Sequence, residues 1–491
     1  MNNLSRLQPV AVWRHFLRLC QIPRASGHEA AVRGALLEWA AKRGLSARSD
    51  ARGNLVIAKP ATAGYENCPG VVLQGHLDMV CQKRGGSAHD FGRDPIRPVL
   101  EDGWVRADGT TLGADNGIGV ALALAVLEAD DLKHPALEVL LTVEEESGMH
   151  GAAALGRDAV AGRLLINLDT EEWGEIYIGC AGSVDVVADV PLVFAAAPMG
   201  LEPVRIRLDG LAGGHSGIDI HRQRGNAIKL LARFLRESLE KGIDFQLASM
   251  RGGTAHNAIA RDAEAVLWMS APSVLRAEAE SFLTGLRACL NAEDSGIRIG
   301  FEPVPPQEAG NALDLGATRK VLDLLHGLPY GVHRMSEQMP GVVETSNNIG
   351  ELRLEQGLLH VNMMVRSSDD HLIHALSDKI VACFADSGFE GIRVEGAGAV
   401  WTPNPESKLL ALARDVYRRA FSSEARIQVI HAGLECGVFG WLWPEMDMIS
   451  FGPTIRDAHA PTERVEVSSV ERTWLFLVGA LAAISARDLE S

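Results

Sequence analysis

The stretch Val71-Val72-Leu73-Gln74-Gly75-His76-Leu77-Asp78 decides the fold. A short apolar run such as Val71-Val72-Leu73 reads as a strand buried on both faces. This one leads straight into a histidine and an aspartate, both metal-ligand types. The same form recurs twice. Residues 137–143 are almost wholly apolar and run into Glu144-Glu145-Glu146, and Leu164-Leu165-Ile166 runs into Asn167-Leu168-Asp169. Two further segments carry the same chemistry without a long strand before them: Gly113-Ala114-Asp115-Asn116-Gly117, and His459 in the loop that follows Ser450-Phe451-Gly452-Pro453. In an open α/β sheet, ligands bind just outside the carboxyl ends of the strands. One sheet would therefore gather two histidines and three carboxylates at one edge, a set suited to a pair of divalent metal ions, most simply zinc.

Within these segments the spacing carries further meaning. His76 and Asp78 lie two apart, so in an extended chain they point to the same side. One would bind metal while the other hydrogen-bonds the imidazole and fixes its tautomer. Asp115 opens a helical stretch and is either an N-cap or a bridging carboxylate. Three adjacent glutamates repel one another. A nearby cation would offset that repulsion and leave one of them free as a base.

The chain has 491 residues, 47% of them hydrophobic, and a formal charge of −16. It is too long for one compact core, so two or more domains are expected. The negative charge disfavours nonspecific binding to nucleic acid or to an anionic membrane. The seven cysteines are scattered with no Cys-x-x-Cys, which speaks against a disulfide framework or thiolate metal site and fits a reducing cytoplasm. Arg14 and His15 interrupt the apolar stretch around Trp13, so no signal peptide is expected. Residues 474–484 are apolar but far shorter than the ~20 needed to span a bilayer, and read as a buried terminal helix.

The first ~180 residues alternate helical and strand patterns. Helices are expected over 13–19, 29–44 and 118–128, with strands at 54–58, 71–74, 137–143 and 164–169. From about 185 the texture changes. Residues 204–208 alternate as a half-exposed strand, Gly213-Gly214 marks a turn, and Ile228, Leu231, Leu235 and Leu239 form one helical stripe. A strand over 358–365 and a helix over 370–383 follow. None of the metal-ligand candidates falls in this middle region. The expected architecture is α/β: a mixed-sheet, metal-binding catalytic domain formed by residues 1–184 and 396–491, with a large α+β domain inserted over 185–395.

Taken together, the motifs resemble the M20 metallopeptidases, and within them the cytosolic nonspecific, or aminoacyl-histidine, dipeptidases. The resemblance runs along essentially the whole chain. It is carried by IPRAS at 22–26, GHLDMVC at 75–81, TLGADNGIG at 111–119, EESGM at 145–149, GEIYIGC at 174–180, GGHSG at 213–217, HNAI at 256–259, HAGLECG at 431–437 and GPTIRDAHAPTERV at 452–465. It implies that His76 and Asp169 hold one metal, Glu146 and His459 the other, and that Asp115 bridges both. Asp78 would orient His76, and Glu145 would be the general base. The implied ions are zinc, with manganese or cobalt as alternatives. His215 would supply an oxyanion donor from the inserted domain, in relatives often from a second copy of it.

A dipeptidase must also recognise both ends of its substrate. Arg366, at the end of an alternating strand, would clamp the carboxylate in a forked pair, with Asn257 supporting that end and Glu435 anchoring the free amine. The expected activity is therefore broad-specificity hydrolysis of dipeptides, Xaa-His dipeptides included. The expected partner is a small peptide, with no nucleic acid and no membrane; a homodimer is compatible with the sequence. The alternatives are an M20-type deacylase of N-acyl amino acids and a catalytically silent protein that binds peptide or metal.

Overall fold

The computed structural model describes residues 3–396 and 399–485. The chain divides into two compact units. The first comprises Met1–Cys180, Trp401–Val429 and Leu434–Ser491, and the second Ala181–Val400 with Ile430–Gly433. The short return of Ile430–Gly433 to the second unit is not evident in the sequence. It is held there by tertiary bonds, the Ala181 amide to the Ile430 carbonyl at 2.9 Å and His431 Nε2 to Ser346 Oγ at 2.7 Å.

The first unit is built on an eight-stranded mixed sheet. Val71–His76 lies at its centre, buried along its whole length. It pairs in parallel with Leu137–Thr142 on one side and Leu164–Asn167 on the other. Asp447–Ser450 extends the parallel run beyond Leu164–Asn167. Antiparallel strands continue outward: Leu55–Lys59 and Ser46–Ser49 on one side, Glu175–Cys180 on the other. The continuous apolar runs of the sequence are thus central parallel strands, and the acidic and histidine segments follow their carboxyl ends.

Helix Ala114–Glu128 packs on this sheet against Val71–His76. All its residues except Asp115 and Glu128 are buried, which explains its lack of an amphipathic period. Gly119 permits that packing, since a Cβ there would run into the Leu168 carbonyl. The helix begins four residues before the expected start at 118. Its first turn is irregular, with non-helical dihedral angles at Asp115 and Asn116.

The second unit has its own sheet of nine strands, all paired antiparallel. Its spine is Val343–Glu355, Leu358–Ser367 and Gly182–Pro191. Helices Ala227–Glu240, Pro272–Arg287, Leu315–Gly327 and Asp370–Asp386 contribute apolar residues to one core. Asn226 caps the first of these, accepting from the amides of Ile228 at 3.0 Å and Lys229 at 3.3 Å. Among the described residues no helix is long and apolar enough to cross a membrane. The terminal helix Val467–Ala483 buries Phe476, Leu477, Ala480 and Leu481.

Candidate functional site

At the carboxyl edge of the parallel strands, Asp115 lies between two histidines. Its Oδ1 is 3.1 Å from His76 Nε2, and its Oδ2 is 3.0 Å from His459 Nε2. Each imidazole meets a second carboxylate. His76 Nε2 is 3.4 Å from Asp169 Oδ1, and His459 Nε2 is 3.1 Å from Glu146 Oε2. Ligand atoms of His76, Asp115 and Glu146 all lie within 4.8 Å of one another. His76 ends its strand, Asp169 follows Leu164–Asn167 by two residues, and Glu146 follows Leu137–Thr142 after a turn with Glu144 at φ +52°. His459 is itself held at φ +63°. A non-glycine residue in this left-handed region is uncommon and persists where surrounding contacts demand it.

Asp78 organises the other side of His76. Its Oδ1 is 3.4 Å from His76 Nδ1 and accepts from the Glu145 amide at 3.1 Å. Its Oδ2 accepts from the Glu146 amide at 3.1 Å and from Ser26 Oγ at 2.7 Å. One fully buried carboxylate thus orients an imidazole and pins the turn that carries the glutamates. Ser26 falls in the quoted motif 22–26, yet sequence reasoning assigned it no role. Arg24 was missed in the same way. Buried beneath the site, it donates to the carbonyls of Leu77 at 3.0 Å, Asp78 at 2.8 Å and Gly113 at 2.5 Å. The signal available was Arg24 and Ser26 two apart in that motif, shortly before the helix Ala30–Lys42.

The electrostatics describe a cluster with more negative charge than the protein neutralises. Burial, with Asp115 and Glu146 nearby, lifts Asp169 to about 6 against the pull of His76. Burial lifts Glu145 well above the carboxylate range, and Asp169, Glu435 and Glu146 add to it. Glu171, which no sequence pattern singled out, is raised by burial and by Asp115. The histidines are raised as well, towards their charged form. Hydrogen bonds to Asp115 and Glu146 push His459 up to about 11. Burial opposes charge on His76, but Asp169, Asp115 and Asp78 outweigh it and raise it well above its usual value. Burial would also lift Asp78; its bonds to His76, Ser26 and the Glu145 amide hold it at about 2.

Protonated histidines are here the counter-charges of the carboxylates, a role a divalent cation fills when it displaces those protons. Two buried carboxylate oxygens of this cluster have no hydrogen-bond partner: Glu146 Oε1 and Asp169 Oδ1. Donor types, crowding and unpartnered atoms together fit a metal centre.

Glu435 is placed differently from the other candidates. It is fully buried, and its Oε2 accepts from Gln74 Nε2 at 2.5 Å and Thr142 Oγ1 at 2.7 Å. Gln74 in turn accepts from Asn167 Nδ2 at 2.5 Å. Glu435 thus belongs to a polar chain across the central strands, and burial lifts its carboxyl to about 7.

In the second unit, His215, Ser216 and Arg366 lie together. His215 Nδ1 accepts from the amides of Gly217 at 3.1 Å and Ile218 at 3.0 Å. In the neutral ring this puts the proton on Nε2, which is then a donor. Arg366, only 6% exposed, directs Nε to Ser216 Oγ at 3.5 Å. His431 joins this group from the far end of the chain; burial, then Arg366 and His215, lower it to about 3, so it stays neutral. The exposed Asn257 contributes its carbonyl to the Ser216 amide at 2.8 Å.

A mixed α/β unit with a carboxylate between two histidines at the edge of its parallel strands defines a metal-dependent hydrolase fold. The chain belongs to peptidase family M20/M25/M40, whose family model matches residues 72–483; divalent-metal dependence comes with membership. It is 42% identical over 492 residues to the cytosol non-specific dipeptidase of Escherichia coli K12, covering 99% of this chain and 100% of that protein. It is similar to the aminoacylhistidine dipeptidase of Vibrio alginolyticus, with 40% identity, 98% of each chain covered and a TM-score of 0.86. A more distant likeness, 16% identical with a TM-score of 0.56 over 97% of this chain and 99% of the other, links the fold to the aminopeptidase PepT of Bacillus cereus.

Proposed function

We propose that the protein is a dinuclear metal-dependent dipeptidase of broad specificity acting in the cytoplasm. The observation that carries this is Asp115, whose two oxygens face two different histidines, each beside its own second carboxylate. His76 with Asp169 would hold one ion and Glu146 with His459 the other, with Asp115 shared. Zinc suits a mixed imidazole and carboxylate set, and manganese or cobalt are the alternatives. Bound ions of this kind lower the pKa of water and polarise a carbonyl.

The remaining chemistry belongs to the chain. Glu145 would take the proton of the attacking water and hand it to the leaving amine nitrogen. Burial raises its pKa well above the usual carboxylate value, which suits a group that both accepts and returns a proton. Asp78 holds His76 and the Glu145 turn in place. His215 would donate from Nε2 to the developing oxyanion. Arg366, with Asn257, would bind the substrate carboxylate; Glu435, expected to anchor the amine, is instead fully buried, its carboxylate held by Gln74 and Thr142 inside the sheet, and would take no direct part in binding.

The test is a peptide panel on metal-free protein resupplied with zinc, manganese or cobalt. Dipeptides, Xaa-His included, should be hydrolysed only after metal is returned, with two ions per chain at full activity. N-acetylated dipeptides and tetrapeptides should be much poorer substrates. Equal turnover of N-acetylated substrates would identify a deacylase instead.

A further inference from the structure

Glu463 connects the segments that carry Asp115 and His459 through the backbone. It is 2% exposed and lies in the quoted motif 452–465. Its Oε2 accepts from the amides of Leu112 at 2.7 Å and Gly113 at 3.0 Å. Its Oε1 accepts from the amides of Ala114 at 2.7 Å and Asp115 at 3.3 Å. One buried carboxylate thus collects four consecutive N–H groups. They converge because Gly113 takes φ +67° and Asp115 departs from helical geometry, so successive amides form a concave nest for an anion.

The other end of the connection is His459. Between it and Glu463 the chain makes a compact turn, closed by the Ala460 amide on the Asp457 carbonyl at 3.2 Å and the Glu463 amide on the Ala460 carbonyl at 2.9 Å. Directly after Glu463, strand Arg464–Glu466 pairs with Trp104–Ala107. The carboxylate is therefore fixed on both sides. It grips the backbone of Asp115, whose side-chain Oδ2 meets His459 Nε2 at 3.0 Å. A closed loop of contacts results: Glu463 to the Asp115 backbone, the Asp115 side chain to His459, and His459 through four residues back to Glu463.

We infer that Glu463 is a positioning residue that sets the spacing of Asp115 and His459, and so governs retention of the ion shared by Asp115, Glu146 and His459. The inference rests on the dinuclear assignment above. A carboxylate is required because all four partners are donors. The amide of glutamine would keep one acceptor oxygen and turn an NH2 group toward two N–H groups, forcing the nest to open.

The experiment is Glu463→Gln, compared with wild type by elemental analysis after a mild chelator wash, by metal titration, and by the visible spectrum of the cobalt-loaded form. Thermal unfolding of the metal-free proteins checks the fold. Wild type should hold two ions. Glu463→Gln should stay folded, keep one ion and bind the second roughly 10–100-fold more weakly, as for other lost ligand-supporting bonds, with the cobalt spectrum of only one site changed. Two ions held with wild-type affinity would make Glu463 a fold-stabilising cap and overturn the inference. Loss of both ions in proportion to a loss of folded protein would overturn it too. Fewer than two ions in wild type would instead defeat the dinuclear assignment itself, a result told apart by the wild-type measurement alone.

Discussion

Asp115 and Glu145 sit 30 residues apart in the chain, yet their roles separate cleanly by what each contacts. Asp115 touches both histidines; Glu145 offers its backbone amide to Asp78, and its carboxylate is the proposed proton acceptor. Glu145→Gln removes a proton acceptor of nearly the same shape. It should lower kcat by roughly 10²–10⁴-fold and leave the metal content, measured by elemental analysis, at the wild-type level. Near-normal turnover would remove Glu145 from the chemistry. Asp115→Ala should do the opposite first: without the carboxylate shared by both ions, occupancy itself falls. A variant that keeps both ions at wild-type affinity would reduce Asp115 to the start of a helix.

At the level of one element, helix Val10–Leu19 carries a buried histidine unrelated to the metal centre. His15 is 4% exposed and packs edge-on against Trp39 with ring centroids 5.3 Å apart. Its Nε2 lies 2.9 Å from Glu128 Oε2, but that carboxylate also serves Arg14 and Arg43. Burial, followed by Arg14, Arg18 and Arg43, holds His15 at about 3. In the unfolded chain it titrates near its ordinary value of about 6.5. The unfolded state therefore binds the extra proton between these values, and stability falls as pH drops below about 6.5. From pH 7 to pH 5 wild type should lose about 2 kcal/mol more than His15→Gln. Urea denaturation of both proteins at the two pH values measures this, and parallel losses would show that His15 does not drive the acid limb.

For the molecule as a whole, the two units divide the chemistry. The metal-ligand cluster is confined to the first, and His215, Ser216, Arg366 and His431 are confined to the second, each unit having its own sheet. If His215 donates to the oxyanion, His215→Ala should lower kcat roughly 10²–10³-fold, with metal content untouched and KM changed less than kcat. Steady-state kinetics with metal analysis decides this, and an unchanged kcat would leave carbonyl polarisation to the metals alone.

The sequence by itself determined the residue types and the strand ends that carry them. Continuous apolar runs such as Val71-Val72-Leu73 and Leu164-Leu165-Ile166 can only be buried strands or helix cores, and their length selects strands. The mixed α/β class and the family followed from those runs and from long specific motifs. Less was legible in the second unit, where Gly331–Met335 and Ile392–Glu395 are short, largely exposed strands with no apolar period to mark them. Tertiary structure alone decided which carboxylate oxygen faces which imidazole, because strand order brings Leu137–Thr142 and Leu164–Asn167 to opposite sides of Val71–His76. It also decided that Glu435 lies inside the sheet, since its bonds come from Gln74 and Thr142 on two neighbouring strands. Glu463 could not be read from the sequence for the same reason: the four amides that need it lie about 350 residues away, and only folding converts a peptide turn into an anion site.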